Sequence, residues 1–178
     1  MDLSTLSFRR LTPEQKLKPF DCSDADLNDF FFNEAKSYQE GLLAVTYIIE
    51  TETETVAFYS LLNDKIAMED FDTNSQWYRK ISNRLPINKR HKSYPAIKIG
   101  RLGVNINFQG QGIGNMISDY LKQLFIENNR TGCKFITVDA YRQSLQFYKK
   151  NGFEYLTLKD ETDDTRLMYF DLIKVVSK

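Results

Sequence analysis

The spacing of apolar residues along the chain predicts alternating strands and helices. Short runs rich in β-branched and aromatic residues predict strands over 6–11, 42–50, 55–63, 95–104, 133–140, 153–158 and 165–172. Apolar residues recur at helical spacing from Leu27 to Tyr38, and most regularly from Ile113 to Leu124. We therefore expect helices ending near Gln39 and spanning 112–129, with shorter ones over 143–151 and near Trp77.

Local sequence signals sharpen these boundaries. Ser23, followed three residues later by Asp26, resembles a capping box, which would make Ser23 an N-cap. Residues 51–54 are acidic and threonine-rich, as expected for the turn of a hairpin. Gly152 is expected to end the helix that contains Tyr148.

The order of these elements predicts a mixed α/β (α+β) fold. We expect one domain over residues 1–178, with a central sheet of about seven strands flanked by helices. Because a predicted hairpin and a final pair of consecutive strands interrupt the strand–helix alternation, the sheet need not be parallel throughout. No repeat or linker-like segment divides the chain.

Composition excludes several classes of function. The 178 residues include 24 Lys plus Arg and 24 Asp plus Glu, so the formal net charge is zero. His91 is the one histidine and lies in a basic run, which argues against a zinc site and against a Ser-His-Asp triad. We expect no bound metal, and we expect Cys22 and Cys133 to be buried, reduced thiols. The longest apolar-rich stretch, 42–49, is too short to cross a bilayer, so a cytoplasmic location with no membrane contact is expected.

The segment between the predicted strand 95–104 and the helix that follows is rich in glycine. Gly110, Gly112 and Gly114 carry no Cβ, and a helix begins directly after them. Backbone N–H groups at such a helix start attract anions, so the turn could bind a phosphate or pyrophosphate. The alternative is that these glycines only make a tight turn. A P-loop would need Gly-Lys-Ser/Thr, and a dinucleotide fingerprint would need another spacing on the first strand.

The run Gln109-x-x-Gly112-x-Gly114 resembles the Q/R-x-x-G-x-G/A motif of the GNAT acetyltransferase superfamily. The resemblance extends over nearly the whole order of elements. It implies a GNAT fold and acetyl-CoA as cosubstrate, with the pyrophosphate on the turn and the pantetheine arm along the preceding strand. Carried over residue by residue, it implies cofactor contacts at Leu102, Val104, Gln109, Gln111, Gly112, Gly114 and Asn115.

A second match lies further along the chain. Ser144, Phe147-Tyr148 and Gly152-Phe153 resemble the family's late A-x-x-F-Y-x-x-x-G-F motif, with serine in place of the alanine. Amine attack on a thioester expels a thiolate, which a nearby proton donor assists. In the family a tyrosine at this position has that role, so Tyr148 is the candidate general acid. The alternative is an ordinary core aromatic.

A general base is harder to assign. Many GNAT enzymes place a carboxylate on or near the strand before the glycine turn, but 95–104 contains no Asp or Glu. An α-amine with a pKa of about 7.9 is roughly a quarter unprotonated near pH 7.4, whereas a lysine amine is only about 0.1% unprotonated. We infer an acceptor with a low-pKa α-amine, although a carboxylate from another loop or a water molecule could also serve.

Residues 77–101 hold eight of the 24 basic residues and none of the 24 acidic ones, giving +8 against −8 for the rest. Aromatic residues are interleaved with the cations, a combination that suits a nucleic acid backbone. A solvated loop that balances acids elsewhere is the alternative. The candidate substrate-binding cations are Arg79, Lys80, Arg84, Lys89, Arg90 and Lys92.

One GNAT branch shares further segments with this chain. This branch contains toxins of toxin–antitoxin pairs that acetylate aminoacyl-tRNA, and the segments that resemble it are Phe20-Asp21-Cys22-Ser23, Leu27-Asn28-Asp29-Phe30, Val56–Leu61, Leu85-Pro86 and Arg101–Val104. The resemblance implies an aminoacyl-tRNA substrate, a ribbon-helix-helix antitoxin as partner and a homodimer. The chain departs from that branch at Ser23, where glycine is common, at Phe30, where tryptophan is common, and in its neutral charge.

Two other functions fit the same residues. One is acetylation of a small-molecule amine or a protein N-terminus. The other is a non-enzymatic module that binds acyl-CoA or a partner protein. Charge reversal in the basic segment would separate the first from tRNA acetylation, and measurable turnover would exclude the second.

Overall fold

A computed structural model describes residues 6–84, 91–127 and 131–176. The strands are β1 Ser7–Arg10, β2 Val45–Glu50, β3 Thr55–Ala67, β4 Ser93–Val104, β5 Phe135–Tyr141, β6 Glu154–Tyr155 and β7 Thr165–Asp171. The helices are α1 Ala25–Asp29, α2 Ala35–Glu40, α3 Asn74–Lys80, α4 Ile113–Glu127, α5 Leu145–Lys150 and α6 Ile173–Val176. Except for the short α6, this order is the one that the apolar pattern predicts.

The seven strands form one sheet in the order β1-β2-β3-β4-β5-β7-β6. Antiparallel pairing joins β1 to β2, β2 to β3, and β7 to both β5 and β6. The pairing of β4 with β5 is parallel, with Ala96 opposite Phe135 and Lys98 opposite Thr137. The predicted mixed sheet of about seven strands flanked by helices is therefore confirmed.

The chain groups into two compact units. The first holds residues 1–62 and 99–120, and the second holds 63–98 and 121–178. Strands β3 and β4 and helix α4 contribute residues to both units. The expectation of a single domain stays a prediction.

Aromatic residues form the core of the first unit. Phe58 of β3 stacks on Phe31 at 4.8 Å between ring centroids, and Phe20 meets Phe58 edge-on at 5.3 Å. Between α1 and α2, residues Phe30–Glu34 form one wide π-helical turn, in which the Ala35 N–H donates to the carbonyl of Phe30. The consecutive side chains of Phe30 and Phe31 at the start of this turn are both buried in the core. The sequence predicts a regular helix here, because the spacing of apolar residues does not reveal a local π-helical turn.

The start of this helix corrects one prediction. Asp24, not Ser23, is the N-cap, and its carboxylate accepts a hydrogen bond from the Leu27 N–H at 3.1 Å. Ser23 instead adopts φ +65°, in the left-handed region that favours glycine. Glycine is common at this position in the toxin branch that the sequence resembles.

The core of the second unit surrounds α3, the short helix predicted near Trp77. Trp77 is almost fully buried and stacks on Tyr94 of β4 at 5.6 Å, with 17° between the rings. This cluster also includes Phe135 of β5 and Tyr169 of β7. After α5, Gly152 has φ +82°, so the predicted glycine at the helix end is confirmed.

Three further features answer expectations from the sequence. The helical spacing places Tyr120 on the apolar face with Ile113 and Leu121, but Tyr120 is 47% exposed, so that part of the prediction is wrong. Both cysteines are free, and Cys22 is buried as predicted, whereas the prediction that Cys133 is buried is wrong because it is half-buried. Among the helices of the described residues, none has the length and apolarity to cross a membrane.

Candidate functional site

A short, firmly held segment connects β4 to α4. The Asn105 N–H donates to the carbonyl of Val56 at 2.9 Å, and its side-chain amide donates to the carbonyl of Thr55 at 2.9 Å. The Ile106 N–H donates to the carbonyl of Asp21 at 2.8 Å. Asn105 is buried, so these bonds are shielded from water. Sequence reasoning missed Asn105, although an asparagine directly after a buried strand is a recognisable signal for such an anchor.

The β2–β3 hairpin supports the same segment. The Glu54 carboxylate accepts hydrogen bonds from the side-chain amides of Asn105 at 3.3 Å and Asn107 at 3.1 Å. The carbonyl of Asn107 accepts from the Gln111 side chain at 3.0 Å. A chain of hydrogen bonds thus runs from the hairpin into the glycine turn.

Gln109 uses its side chain to hold the backbone. Its Nε2 donates to the carbonyl of Val104 at 2.9 Å and to that of Cys22 at 3.2 Å. The end of β4, the segment before α1 and the glycine turn are therefore held together by one amide. A turn held in this way keeps its N–H groups in place before any ligand arrives.

The glycine turn has the geometry that a bulky anion requires. Gly110 has φ +74° and Gly112 has φ +84°, and a Cβ built on either residue would have no atom within 4 Å. Both residues are exposed, as are Gln111 and Asn115. The Met116 N–H donates to the carbonyl of Gly112 at 3.0 Å, so α4 begins directly after the turn.

Gly114 and Asn115 lie in the first turn of α4, and the backbone N–H groups of such a turn attract anions. Together with the open backbone of Gly112, they fit a pyrophosphate group. The geometry of the turn thus agrees with the expectation from the sequence motif that the pyrophosphate of acetyl-CoA binds here.

Strand β4 leads into this turn, and its side chains point alternately to the two faces of the sheet. Gly103 faces the aromatic core, where an added Cβ would lie 2.8 Å from Phe58. Side chains alternate along a strand, so Leu102 and Val104 point to the opposite face, and both are half-buried. These two residues are the expected contacts of the pantetheine arm.

Tyr148 lies on α5 in the second unit and is buried, with 6% of its surface exposed. Its ring meets Phe147 at 4.9 Å and Phe153 at 5.3 Å, both edge-on. Burial raises the pKa of Tyr148 above the ordinary tyrosine value, so the hydroxyl keeps its proton at neutral pH. Burial likewise raises the pKa of Tyr59, which shows that the shift alone does not single out a catalytic tyrosine.

Carboxylates do contact β4 side chains, but they face cations. Lys98 is 2.7 Å from Asp139 of β5 and 3.9 Å from Asp64 of β3. Arg101 lies 3.9 Å from Asp26, and its guanidinium stacks 5.1 Å from the ring centre of Phe30. The two cations that end the basic segment are thus neutralised within the protein.

The candidate substrate-binding cations differ in placement. Arg79 and Lys92 are exposed, whereas Lys80 is half-buried and donates to the carbonyl of Tyr155. Arg84 ends a 3₁₀ turn, Ser82–Arg84. Lys89 and Arg90 lie outside the described residues.

The structure therefore brings one set of predicted residues together. Residues Leu102, Val104, Gln109, Gln111, Gly112, Gly114 and Asn115 form a continuous surface segment of the first unit. Tyr148 and the four candidate cations within the described residues, Arg79, Lys80, Arg84 and Lys92, belong to the second unit. In the described part of the chain, no cluster of three or more His, Cys, Asp or Glu residues is placed to hold a metal ion.

Several solved structures share this fold. A tyrosine-to-phenylalanine mutant of KacT matches 97% of this chain and 98% of its own, with a TM-score of 0.77 and 18% identity. AtaT complexed with acetyl-methionyl-tRNAfMet matches 97% and 99%, with a TM-score of 0.74 and 20% identity. AtaTR bound with acetyl-CoA matches 98% and 99%, at the same TM-score and identity.

The sequence itself matches a family model. Residues 42–155, well over half of the chain, match the acetyltransferase (GNAT) domain. The match runs from just before β2 to the end of β6, so it includes β4, the glycine turn and the helix that carries Tyr148. The chain therefore belongs to the GNAT family of acetyltransferases, acyltransferases that use acetyl-CoA.

Proposed function

We propose that this protein acetylates the α-amine of aminoacyl-tRNA and acts as the toxin of a toxin–antitoxin pair. The observation that carries the proposal is that β4, the strand before the glycine turn, has no carboxylate, in a chain whose fold matches AtaT complexed with acetyl-methionyl-tRNAfMet. An enzyme without a base on this strand suits an acceptor whose amine is already partly unprotonated.

In this proposal the first unit binds acetyl-CoA. The N–H groups of Gly112, Gly114 and Asn115 hold the pyrophosphate, and Leu102 and Val104 contact the pantetheine arm. Gln109 and Gln111 act through the backbone that their side chains hold, since both amides donate to carbonyls of the protein. The likeness to AtaTR bound with acetyl-CoA supports this assignment.

Tyr148 supplies the proton for the leaving group. The amine nitrogen attacks the thioester carbon, the C–S bond breaks, and the Tyr148 hydroxyl donates its proton to the departing thiolate. The attacking nitrogen releases its extra proton to solvent. The Tyr148 phenolate that remains takes a proton back from solvent, and because burial raises the pKa of Tyr148, the hydroxyl is protonated again before the next turnover.

The carboxylates near β4 also favour an α-amine. Asp139, Asp64 and Asp26 each face a cation of β4, so none is placed as a free proton acceptor. An acceptor such as lysine would need one, because only about 0.1% of its amine is unprotonated near neutral pH. The α-amine of an aminoacyl ester does not.

The exposed cations provide the affinity for RNA. Arg79 and Lys92 are exposed, and Lys89 and Arg90 belong to the same basic run of the sequence. Contacts of this kind with phosphates dominate the affinity of most proteins for nucleic acid. Aminoacyl-tRNA as substrate also implies that the protein works in the cytoplasm.

The structural relatives suggest the partners. AtaT has been solved bound to the C-terminus of the antitoxin AtaR, and KacTA has been solved in a complex with DNA. We therefore propose an antitoxin partner, of the ribbon-helix-helix type that the sequence resemblance implies, and a homodimeric enzyme. Co-purification with the neighbouring gene product and light scattering would test these two points.

The decisive experiment measures transfer of labelled acetyl from acetyl-CoA into RNA. A fully aminoacylated total tRNA pool is compared with the same pool after deacylation. Label only in the aminoacylated pool is the expected result. No label, from protein that binds acetyl-CoA, would reject the tRNA substrate and direct attention to small amines and protein N-termini.

A further inference from the structure

Strand β6 forms one edge of the sheet, and helices α3 and α5 lie on opposite faces beside it. On one face, Trp77 of α3 packs in a cluster with Tyr169 of β7. On the other, Tyr148 of α5 contacts Phe153, which contacts Phe170 of β7. Tyr169 and Phe170 are consecutive in β7, so they point to opposite faces. The two helices therefore reach the β6 edge from both sides.

The basic ends of both helices meet at Tyr155 of β6. Lys80, in the last turn of α3, donates a hydrogen bond to the carbonyl of Tyr155. Lys149, in the last turn of α5, lies 4.6 Å from the centre of the Tyr155 ring. Residues 69 positions apart in the sequence are thus joined through a single tyrosine.

The charge at this edge is predominantly positive. Arg79 beside Lys80 and Lys150 beside Lys149 are exposed, as is Lys149 itself. The nearby carboxylates of Glu154 and Asp160 form ion pairs with Lys174 and Arg166. We call the four residues Arg79, Lys80, Lys149 and Lys150 the β6-edge cations.

We propose that the β6-edge cations form a contact surface for the phosphate backbone of RNA, which extends the tRNA site of the proposed function beyond the basic segment 77–101. This inference rests on aminoacyl-tRNA being the substrate. Spacing in the sequence does not reveal the surface, because the lysines of α5 lie far from the basic segment. Three of these four cations, Arg79, Lys149 and Lys150, are exposed, and they lie on both sides of the sheet edge. That arrangement suits a duplex backbone, whose phosphates are spaced along a groove.

Lysines at a sheet edge and in the last turn of a helix can also have two purely structural roles. They can prevent edge-to-edge association of sheets, and they can stabilise helix C-termini. Neither use predicts a change in RNA affinity. The test therefore uses Lys→Gln variants. Glutamine removes the positive charge without placing a negative charge at the helix end, and it keeps most of the aliphatic stem of lysine.

The experiment uses a double variant that carries both Lys149→Gln and Lys150→Gln. The control is a second double variant, with Lys16→Gln and Lys36→Gln, which loses the same amount of charge. Binding of a stable aminoacyl-tRNA analogue is measured as a function of salt concentration. We expect the first pair to weaken binding by about tenfold at low salt and to reduce the log–log salt slope by about 1–2, while the control pair changes neither. Arg79→Gln, on the other helix, should act in the same direction and serves if the first pair does not fold.

Acetyl-CoA binding is measured on every variant. An unchanged affinity for acetyl-CoA together with weaker RNA binding supports the proposal. Equal RNA binding by the α5 pair and the control pair would overturn it, as would a weaker affinity for acetyl-CoA, which would assign these lysines to the cosubstrate. Failure of the wild-type protein to bind or acetylate aminoacyl-tRNA would reject the proposed function and this surface with it. Wild-type acetylation with unaffected variants would reject the surface alone.

Discussion

The side chain of Gln109 donates a 2.9 Å hydrogen bond to the carbonyl of Val104, which closes the turn between β4 and α4 onto the end of the strand. The first residue of the glycine motif thus acts on the protein backbone. Its second bond, to the carbonyl of Cys22, extends the same support to the segment before α1. The positions of the turn's N–H groups depend on these two bonds.

Replacing this amide should weaken cosubstrate binding more than it slows chemistry. In Gln109→Leu both donors are lost, so the turn samples other conformations and pays an ordering cost on binding. We expect KM for acetyl-CoA to rise about tenfold, with kcat changed less than threefold. Gln123→Leu, an exposed glutamine of α4, is the control. Equal effects of both variants would show that the Gln109 bonds do not support the site.

The left-handed backbone of the turn predicts a contrast between two glycines. Gly112 has φ +84°, so Gly112→Ala should cost about 1–2 kcal/mol of the free energy of unfolding and weaken acetyl-CoA binding. Gly132 also has open space around it but is not in the left-handed region, so Gly132→Ala should be neutral or slightly stabilising. Denaturant unfolding and acetyl-CoA titration measure both effects. A harmless Gly112→Ala would contradict the described turn.

Ser23 predicts a stabilising substitution. It is exposed at φ +65°, so Ser23→Gly should relieve strain and raise the free energy of unfolding by about 0.5–1 kcal/mol. Ser75, an exposed serine in the first turn of α3, offers the opposite case, and Ser75→Gly should lower the free energy of unfolding. Loss of stability in both variants would mean that Ser23 is not strained.

Tyr148 and Tyr59 form a matched pair for testing catalysis. Both are buried, and burial raises the pKa of each. If Tyr148 protonates the leaving thiolate, Tyr148→Phe should lower kcat about 100-fold or more, with unchanged acetyl-CoA affinity. Tyr59→Phe removes the same atom from the other unit and should leave kcat nearly unchanged. Similar activity of the two variants would remove Tyr148 from the mechanism.

Asp21 predicts a pH dependence of stability. Hydrogen bonds from the Ser23 N–H and the Asn28 amide lower the pKa of its carboxyl below the ordinary value near 3.8. A lowered pKa in the folded state adds stability above the unfolded pKa, and that stability disappears as the pH falls through the folded pKa. The difference in stability between wild type and Asp21→Asn should therefore shrink from pH 6 to pH 3. The exposed Asp72→Asn is the control, and a constant difference for Asp21→Asn would contradict the assignment.

Features set by neighbours in sequence were predictable. The helix from Ile113 follows a long 3.6-residue period, and the turn before it needs glycines at 110 and 112, so both could be read from the chain. The choice of N-cap was predicted wrongly as Ser23. Asp21 and Asn28 decide that point, because their hydrogen bonds hold the preceding segment in a conformation that leaves the capping position to Asp24.

The sequence by itself determined the order of strands and helices, the glycine turn and the family to which the chain belongs, because each depends on spacing over a few residues. Only the tertiary structure decided the wide turn over Phe30–Glu34, the support of Gln109 on Val104, and the pairing of Lys98 with Asp139. It also brought Lys80 and Lys149, from helices on opposite faces of the sheet, to the same residue, Tyr155. These contacts join residues from different parts of the chain, and packing, which no local pattern encodes, sets the distances between them.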